Sequence, residues 1–352
     1  MQLQSPQKKF LNSINYFRGI AIVLIVLGHC YNLSHWEISS VFSKIFYSTT
    51  LNGSVYFVFI SGFLYHHVFY HKFNYKNFMV KKIKYVLLPY LFFSVLPIVY
   101  EIFVNAGGEY LPIQLQNHHL QAVGWYLFTG RVSYAYWYIP MVILLFTISP
   151  IINQIIKLQK VLVVSLCFLP VSLIVHRSIN NLNPFHSLIY FLPVYLIGIW
   201  SSINQQKIYS CLKSNVNKAI VLVLAFDLAA TQVLLLQQPG NFHKQFWSIT
   251  VPDVNLLQKI LLCFLLMSIL NLYENTDITL IKKTAETSFA IYFIHPFLIN
   301  GLISVASRLN INYEGNIFSL LLSTCIITLV SMAIAMGFKL VFKKNSRYLI
   351  GW

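Results

Sequence analysis

The stretch Asn15–Tyr31, NYFRGIAIVLIVLGHCY, is almost entirely apolar and yet contains one arginine, Arg18, and one histidine, His29. An ionisable side chain at membrane depth costs about 2.5–3.5 kcal/mol on insertion scales, so its presence there indicates a role. An α-helix rises about 1.5 Å per residue, so the spacing of eleven residues places both side chains on one face, roughly 16 Å apart. This arrangement fits a cation that holds one end of a long ligand and an imidazole that acts at the other end.

The composition predicts an integral membrane protein, because 57% of the 352 residues are hydrophobic and only 10% are charged. A membrane span needs about 20 apolar residues, and its backbone groups must be paired internally, so long apolar stretches predict helices. We expect an all-α bundle of about ten transmembrane helices in a single integral-membrane domain, residues 1–352 with a core at about 12–343. The predicted spans are Ile14–Leu33, Gly53–Tyr70, Tyr85–Val104, Tyr134–Asn153, Val161–Arg177, Ser187–Ile203, Ala219–Leu236, Leu256–Tyr273, Thr287–Arg308 and Ile317–Phe342.

Lysine and arginine residues predict the orientation. With both termini in the cytoplasm, the cytoplasmic segments hold about 18 basic residues and the outer segments about 6, as the positive-inside rule requires. Topology and contacts with anionic membrane lipids therefore explain the net charge of +16, and nucleic acid is not an expected partner. The two longest polar connections, Asn105–Ser133 and Gln237–Asn255, are then outside, either covering an acceptor site or serving as ordinary loops. We expect a multi-pass protein of the cell membrane with no cleavable signal peptide and no appended soluble domain.

The five cysteines are scattered, without the spacing of a disulfide or zinc framework, and no metal site is expected. Cys30 adjoins His29, which suggests a nucleophile beside its base. Adjacent residues of a helix point in different directions, however, so the two side chains would not face each other. Packing is the favoured role for Cys30.

Several stretches together resemble the acyltransferase 3 family of integral-membrane acyltransferases. The pair Arg18-x10-His29 is similar to the pair in the family's first helix. The other stretches, in chain order, are YFVFISGFLY at Tyr56–Tyr65, KKIKYVLLPY at Lys81–Tyr90, YWYIPMVILLFTISPII at Tyr136–Ile152, YFLPVYLIGI at Tyr190–Ile199 and SFAIYFIHPFLI at Ser288–Ile299. The resemblance is greatest to short members that modify sugars, the fucose O-acetylase-like and biofilm-polysaccharide acyltransferases.

The resemblance implies transfer of an acyl group, most commonly acetyl, from acyl-CoA to a hydroxyl of an extracytoplasmic glycan or lipid-linked sugar. Acyl-CoA, for example acetyl-CoA, is then the donor substrate, and no permanently bound cofactor is expected. The expected partners are this donor, the glycan acceptor, membrane lipids and other proteins of glycan synthesis. The family commonly has Arg-x-x-Arg before the third helix, where this chain has Lys81, Lys82 and Lys84. Lysine keeps the charge but lacks the two-pronged geometry with which arginine binds a phosphate.

His29 is the candidate general base, because a neutral imidazole can accept a proton from an attacking hydroxyl. Arg18 is the second candidate catalytic residue, which would bind a phosphate of coenzyme A or align the base; alternatively it extends to the lipid headgroups. The candidate substrate-binding residues are Ser61, Lys81, Lys82, Lys84, Glu101, Trp137 and His295. Each of these residues also has a structural interpretation. The serine allows a close contact between helices, the lysines set the membrane topology, and the tryptophan belongs to the aromatic belt. The glutamate forms a structural hydrogen bond, and the histidine holds neighbouring helices together.

An exporter or flippase of a polysaccharide or its precursor is the alternative function. In that hypothesis Arg18, His29 and Glu101 would line a polar path through the bundle. The sequence shows no duplicated halves and no paired interrupted helices, and the resemblance favours transfer chemistry.

Overall fold

The structure is a computed structural model that describes residues 10–105, 108, 110–248, 250–311 and 314–352. Its α-helices are α1 (Asn12–Ser34), α2 (Val41–Thr50), α3 (Ser54–Leu64), α4 (Tyr75–Lys82), α5 (Leu88–Phe103), α6 (His119–Thr129), α7 (Tyr138–Thr147), α8 (Ser149–Lys157), α9 (Val161–Val175), α10 (Pro184–Ile203), α11 (Gln205–Cys211), α12 (Asn215–Ala230), α13 (Asn255–Asn271), α14 (Thr279–Arg308), α15 (Ile317–Phe342) and α16 (Ser346–Leu349).

Shorter elements join or extend these helices. The π-helical segments are Tyr65–Phe69, Ile83–Leu87 and Thr231–Leu235. The 3₁₀ turns are Tyr70–Lys72, Ile113–Leu115, Ile179–Asn181 and Lys343–Asn345. Two short strands, β1 (Arg177–Ser178) and β2 (His243–Lys244), pair in parallel and connect the segment after α9 to the segment before α13.

Six helical segments of the described chain are long and apolar enough to cross a membrane: Asn12–Ser34, Tyr75–Phe103, Pro184–Ile203, Asn215–Leu235, Thr279–Arg308 and Ile317–Leu349. Helices α7 and α8 form a seventh candidate if they are counted together across their 54° bend. The predicted spans at 53–70, 161–177 and 256–273 correspond to the shorter helices α3, α9 and α13. The prediction of a mainly helical protein with several candidate membrane spans is thus confirmed, while the number ten and the cytoplasmic termini stay predictions.

Helix α1 is enclosed by other helices, since it packs against α3, α13, α14 and α15. Its first turn is held by Glu274, whose carboxylate accepts hydrogen bonds from the backbone N–H groups of Asn12 (3.1 Å) and Ser13 (2.9 Å). A carboxylate at a helix N-terminus satisfies backbone donors that have no partner within the helix. The first turn of α1 is therefore anchored to the segment that follows α13.

Two glycines allow α3 and α10 to approach each other closely. A side chain on Gly62 would overlap the backbone carbonyl of Tyr195, and a side chain on Gly198 would overlap that of Phe59. Helices in membranes use small residues in this way, because close backbone approach increases van der Waals contact. The contact fixes α3, and with it Ser61, against α10.

We expect Gly198→Ala to destabilise the protein by about 1–3 kcal/mol, because the added methyl group has to displace backbone atoms of α3. The matched control is Gly337→Ala in α15, where an added side chain would meet no atom within 4 Å. That control should be neutral or slightly stabilising, since alanine favours the helix by about 0.5–1 kcal/mol. Thermal unfolding in detergent measures both variants, and equal midpoints would contradict the prediction.

Candidate active site

A cavity of about 260 Å³ lies between α1, α3, α7, α14 and the segment that joins α4 to α5. Arg18 and His29 both line it, together with Ser61, Lys82 and Trp137. Its volume is slightly below the range of small-molecule sites, about 300–1,000 Å³. The structure therefore brings five of the nine predicted site residues to one cavity.

Arg18 is held in place by two hydrogen bonds. Its Nε donates to the backbone carbonyl of Ala285 on α14 (3.0 Å), and its Nη2 donates to Oδ1 of Asn15 (3.1 Å). Both acceptors are neutral, and in the described part of the chain no carboxylate forms an ion pair with this guanidinium. Its positive charge is thus fixed in position at the cavity wall and available to an anionic ligand.

His29 lies three turns along α1 from Arg18, as the spacing predicted. Its ring packs against those of Tyr134 (4.7 Å between ring centroids) and His295 on α14 (5.4 Å). The imidazole is half-buried and lines the cavity, so a substrate in the cavity can reach it.

The three predicted lysines do not act together. The Nζ of Lys82 lies in a cage of aromatic rings, 4.1 Å from the centroid of Phe146, 5.0 Å from Phe69 and 5.1 Å from Phe78, and Lys82 lines the cavity. Lys81 and Lys84 are exposed and do not line it. A cation over aromatic faces is attracted by the ring quadrupoles, which hold the ammonium in place without neutralising it.

Trp137 lines the cavity with most of its ring covered, since only 4% of the side chain is exposed. The guanidinium of Arg177 lies 4.4 Å from the ring centroid, and the ring of Phe191 stacks on it at 5.7 Å. Arg177 thus occupies one face of the indole, and a ligand in the cavity meets the opposite face or an edge.

Arg177 belongs to a buried polar cluster behind Trp137. Its Nη1 donates to Oδ1 of Asn241 (2.7 Å), and its Nη2 donates to Oδ1 of Asn181 (2.9 Å). Asp253 accepts hydrogen bonds from the backbone N–H of Asn241 (3.2 Å) and from the hydroxyl of Tyr190 (3.4 Å), and burial raises the pKa of this carboxyl. The cluster ties the connection 237–255 to the wall of the cavity.

Two other predicted site residues lie away from the cavity lining. Glu101 accepts a hydrogen bond from Nδ2 of Asn105 (2.8 Å) and does not line the cavity. His295 is fully buried behind His29 and does not line the cavity either. Cys30 is buried beside Thr324 and does not line the cavity, which fits its interpretation as a packing residue.

Several residues of the site were not predicted from the sequence. Tyr134 contacts His29, and its position in the aromatic stretch before Trp137 was the available signal. Tyr85 and Gly351 also line the cavity, and the guanidinium of Arg347 lies 4.1 Å from the ring centroid of Tyr85. The segment around α16 therefore contributes to the cavity at a place that no sequence motif indicated.

The fold and the cavity define a helical membrane protein with a partly open site that combines fixed cations and a half-buried imidazole. Residues 11–336 match the family Acyl_transf_3, described as an acyltransferase domain. The chain therefore belongs to the acyltransferase 3 family and is an acyltransferase, which confirms the family predicted from the sequence. Comparisons with curated proteins and with solved structures give no match. The resemblance to the sugar-modifying members stays a prediction.

We expect Arg177→Lys to destabilise the protein by about 1–3 kcal/mol, because one ammonium cannot reproduce both hydrogen bonds of the guanidinium and leaves a buried acceptor unpaired. Arg308→Lys at the exposed end of α14 is the matched control and should leave the midpoint of thermal unfolding unchanged. An unchanged midpoint for Arg177→Lys as well would show that the cluster does not stabilise the fold.

Proposed function

We propose that this membrane acyltransferase moves an acyl group, most commonly acetyl, from acyl-CoA to a hydroxyl of an extracytoplasmic glycan or lipid-linked sugar. His29 is the general base, and Arg18 is a ligand of the donor. The observation that carries the proposal is the single cavity lined by both residues, three helical turns apart on α1. An extended thioester donor fits a site in which the guanidinium of Arg18 and the imidazole of His29 are separated along the axis of α1.

The donor end of the cavity is the end that contains Arg18. Arg18 and Lys82 both line the cavity, carry fixed positive charge and have no carboxylate in an ion pair with them in the described chain. Phosphate groups are bound best by such charges, through charge-assisted hydrogen bonds. With the N-terminus in the cytoplasm, as the basic residues predict, this end faces the compartment that supplies acyl-CoA.

At the other end, His29 accepts the proton of the acceptor hydroxyl while the hydroxyl oxygen attacks the thioester carbonyl carbon. The tetrahedral intermediate then expels the thiolate of coenzyme A as the carbon–sulfur bond breaks. The sulfur takes the proton from His29, so the imidazole returns to its neutral form. The products are the acylated hydroxyl and free coenzyme A.

The acceptor reaches the cavity from the side of Trp137. The indole lines the cavity close to the polar cluster of Arg177, and aromatic rings with neighbouring polar groups suit the apolar faces and hydroxyls of a sugar. This side is extracytoplasmic in the orientation predicted from the basic residues.

We expect His29→Ala to lower O-acylation of the surface glycan by about 10²–10⁴-fold, the usual contribution of a general base. The matched control is Cys30→Ala, the next residue of α1, which is buried and does not line the cavity. Mass spectrometry of the surface glycan measures the acyl groups and separates acetyl from succinyl by mass. Normal acylation in His29→Ala would overturn the proposal, and loss of the polymer itself from the surface would favour an exporter.

We expect Lys82→Met to raise the KM for acyl-CoA by roughly 10- to 100-fold, because a hydrogen bond to a charged group contributes about 1.5–3 kcal/mol. Methionine can still pack against the aromatic cage. Lys81→Met removes the same charge from an exposed neighbour and should change KM by less than about twofold. Equal KM values for the two variants would show that position 82 has no special part in binding the donor.

A further inference from the structure

His295 has a defined hydrogen position on its ring. Its Nδ1 lies 3.0 Å from the backbone carbonyl of Ile291, one turn earlier in α14. A carbonyl oxygen can only accept a hydrogen bond, so Nδ1 carries the hydrogen. In the neutral ring the other nitrogen, Nε2, is then a bare acceptor.

This bare nitrogen is buried and has no hydrogen-bond partner among the described residues. Leaving a buried acceptor unpaired is unfavourable, so a donor is expected beside it. The rings that contact His295 are those of His29 (5.4 Å), Tyr134 (6.3 Å) and Tyr292 (6.3 Å). The hydroxyl of Tyr292 already donates to the backbone carbonyl of Ala135. The hydroxyl of Tyr134 and the ring of His29 remain as donors, and the ring of His29 is the nearer of the two.

We infer that His295 positions His29 for catalysis by accepting a hydrogen bond that forms from the ring of His29 during the reaction, an inference that rests on the proposed function. In this structure the two rings are in contact but not yet hydrogen-bonded. The bond fixes the hydrogen of His29 on the nitrogen that faces His295. The second nitrogen of His29 then presents its lone pair to the cavity, where the acceptor hydroxyl arrives. When His29 takes up the proton, the same bond stabilises the imidazolium.

The positions of the His29 and His295 rings distinguish a positioning role of His295 from a role in substrate binding. His29 lines the cavity, whereas His295 lies behind it and does not. His295 is therefore a positioning residue, and its removal should affect turnover more than substrate affinity. A histidine that bound the donor or the acceptor directly would affect KM instead.

The experiment compares His295→Phe with His295→Gln in the full-length protein, with acetyl-CoA as donor and the isolated surface glycan as acceptor. We expect His295→Phe to lower kcat by about 10- to 100-fold, as loss of an orienting partner does elsewhere, with both KM values within about twofold of wild type. Glutamine offers an acceptor oxygen near the position of Nε2 and should recover most of kcat. His186→Phe removes an equally buried histidine that bonds to the carbonyl of Val175 and should leave kcat unchanged.

The outcomes are distinguishable with His29→Ala measured in parallel. If His29→Ala is inactive while His295→Phe keeps the wild-type kcat, the inference is overturned and the proposed function stands. A raised KM with unchanged kcat in His295→Phe also overturns it, in favour of substrate binding. Full activity in His29→Ala removes the proposed function and the inference together. If His295→Phe does not fold, His295→Leu takes its place as the variant without an acceptor: a kcat lowered by about 10- to 100-fold with unchanged KM supports positioning, and a wild-type kcat or a raised KM contradicts it.

Discussion

Lipid offers no partners to polar groups, so every ionisable side chain inside the bundle has to be satisfied by protein or by a ligand. Helix α1 carries two such groups, and α14 meets both of them. It supplies the carbonyl of Ala285 to Arg18 and the ring of His295 to His29. The pairing of these two helices places the cation and the imidazole at the wall of one cavity. The other helices of the site complete that wall around the pair.

The remaining walls are fixed by contacts of two different kinds. Close backbone approach at Gly62 and Gly198 sets α3 against α10 and thereby positions Ser61. On the side of Trp137, the parallel strands β1 and β2 and the hydrogen bonds of Arg177 hold two connections together behind the indole. The contact between α3 and α10 depends on glycines, which have no side chain. The contact behind the indole depends on the buried charge of Arg177, whose hydrogen-bond partners are neutral. Both create a rigid boundary for the cavity.

The sequence predicted the parts of the site that follow from helix periodicity. Arg18 and His29 share a face because eleven residues are about three turns, and the structure shows this arrangement. The choice among Lys81, Lys82 and Lys84 could not be predicted, because the π-helical segment Ile83–Leu87 changes the phase of the helix there.

Contacts between distant parts of the chain were equally inaccessible to sequence reasoning. The position of His295 behind His29 depends on the packing of α14 against α1, and the place of Gly351 depends on how the segment around α16 folds back. The lengths of the apolar helices were hard to predict for a related reason. The stretches around α3, α9 and α13 are apolar but form shorter helices, and hydropathy alone does not reveal where a helix ends.

The guanidinium that covers one face of Trp137 has a consequence for selectivity. Arg177 covers one face of this indole and the ring of Phe191 stacks on it as well, so only a small part of the ring remains for a ligand. A ligand in the cavity therefore meets a limited and fixed part of the ring. Arg177 and Phe191 thus restrict the orientations that a ligand can adopt beside His29, although neither residue lines the cavity.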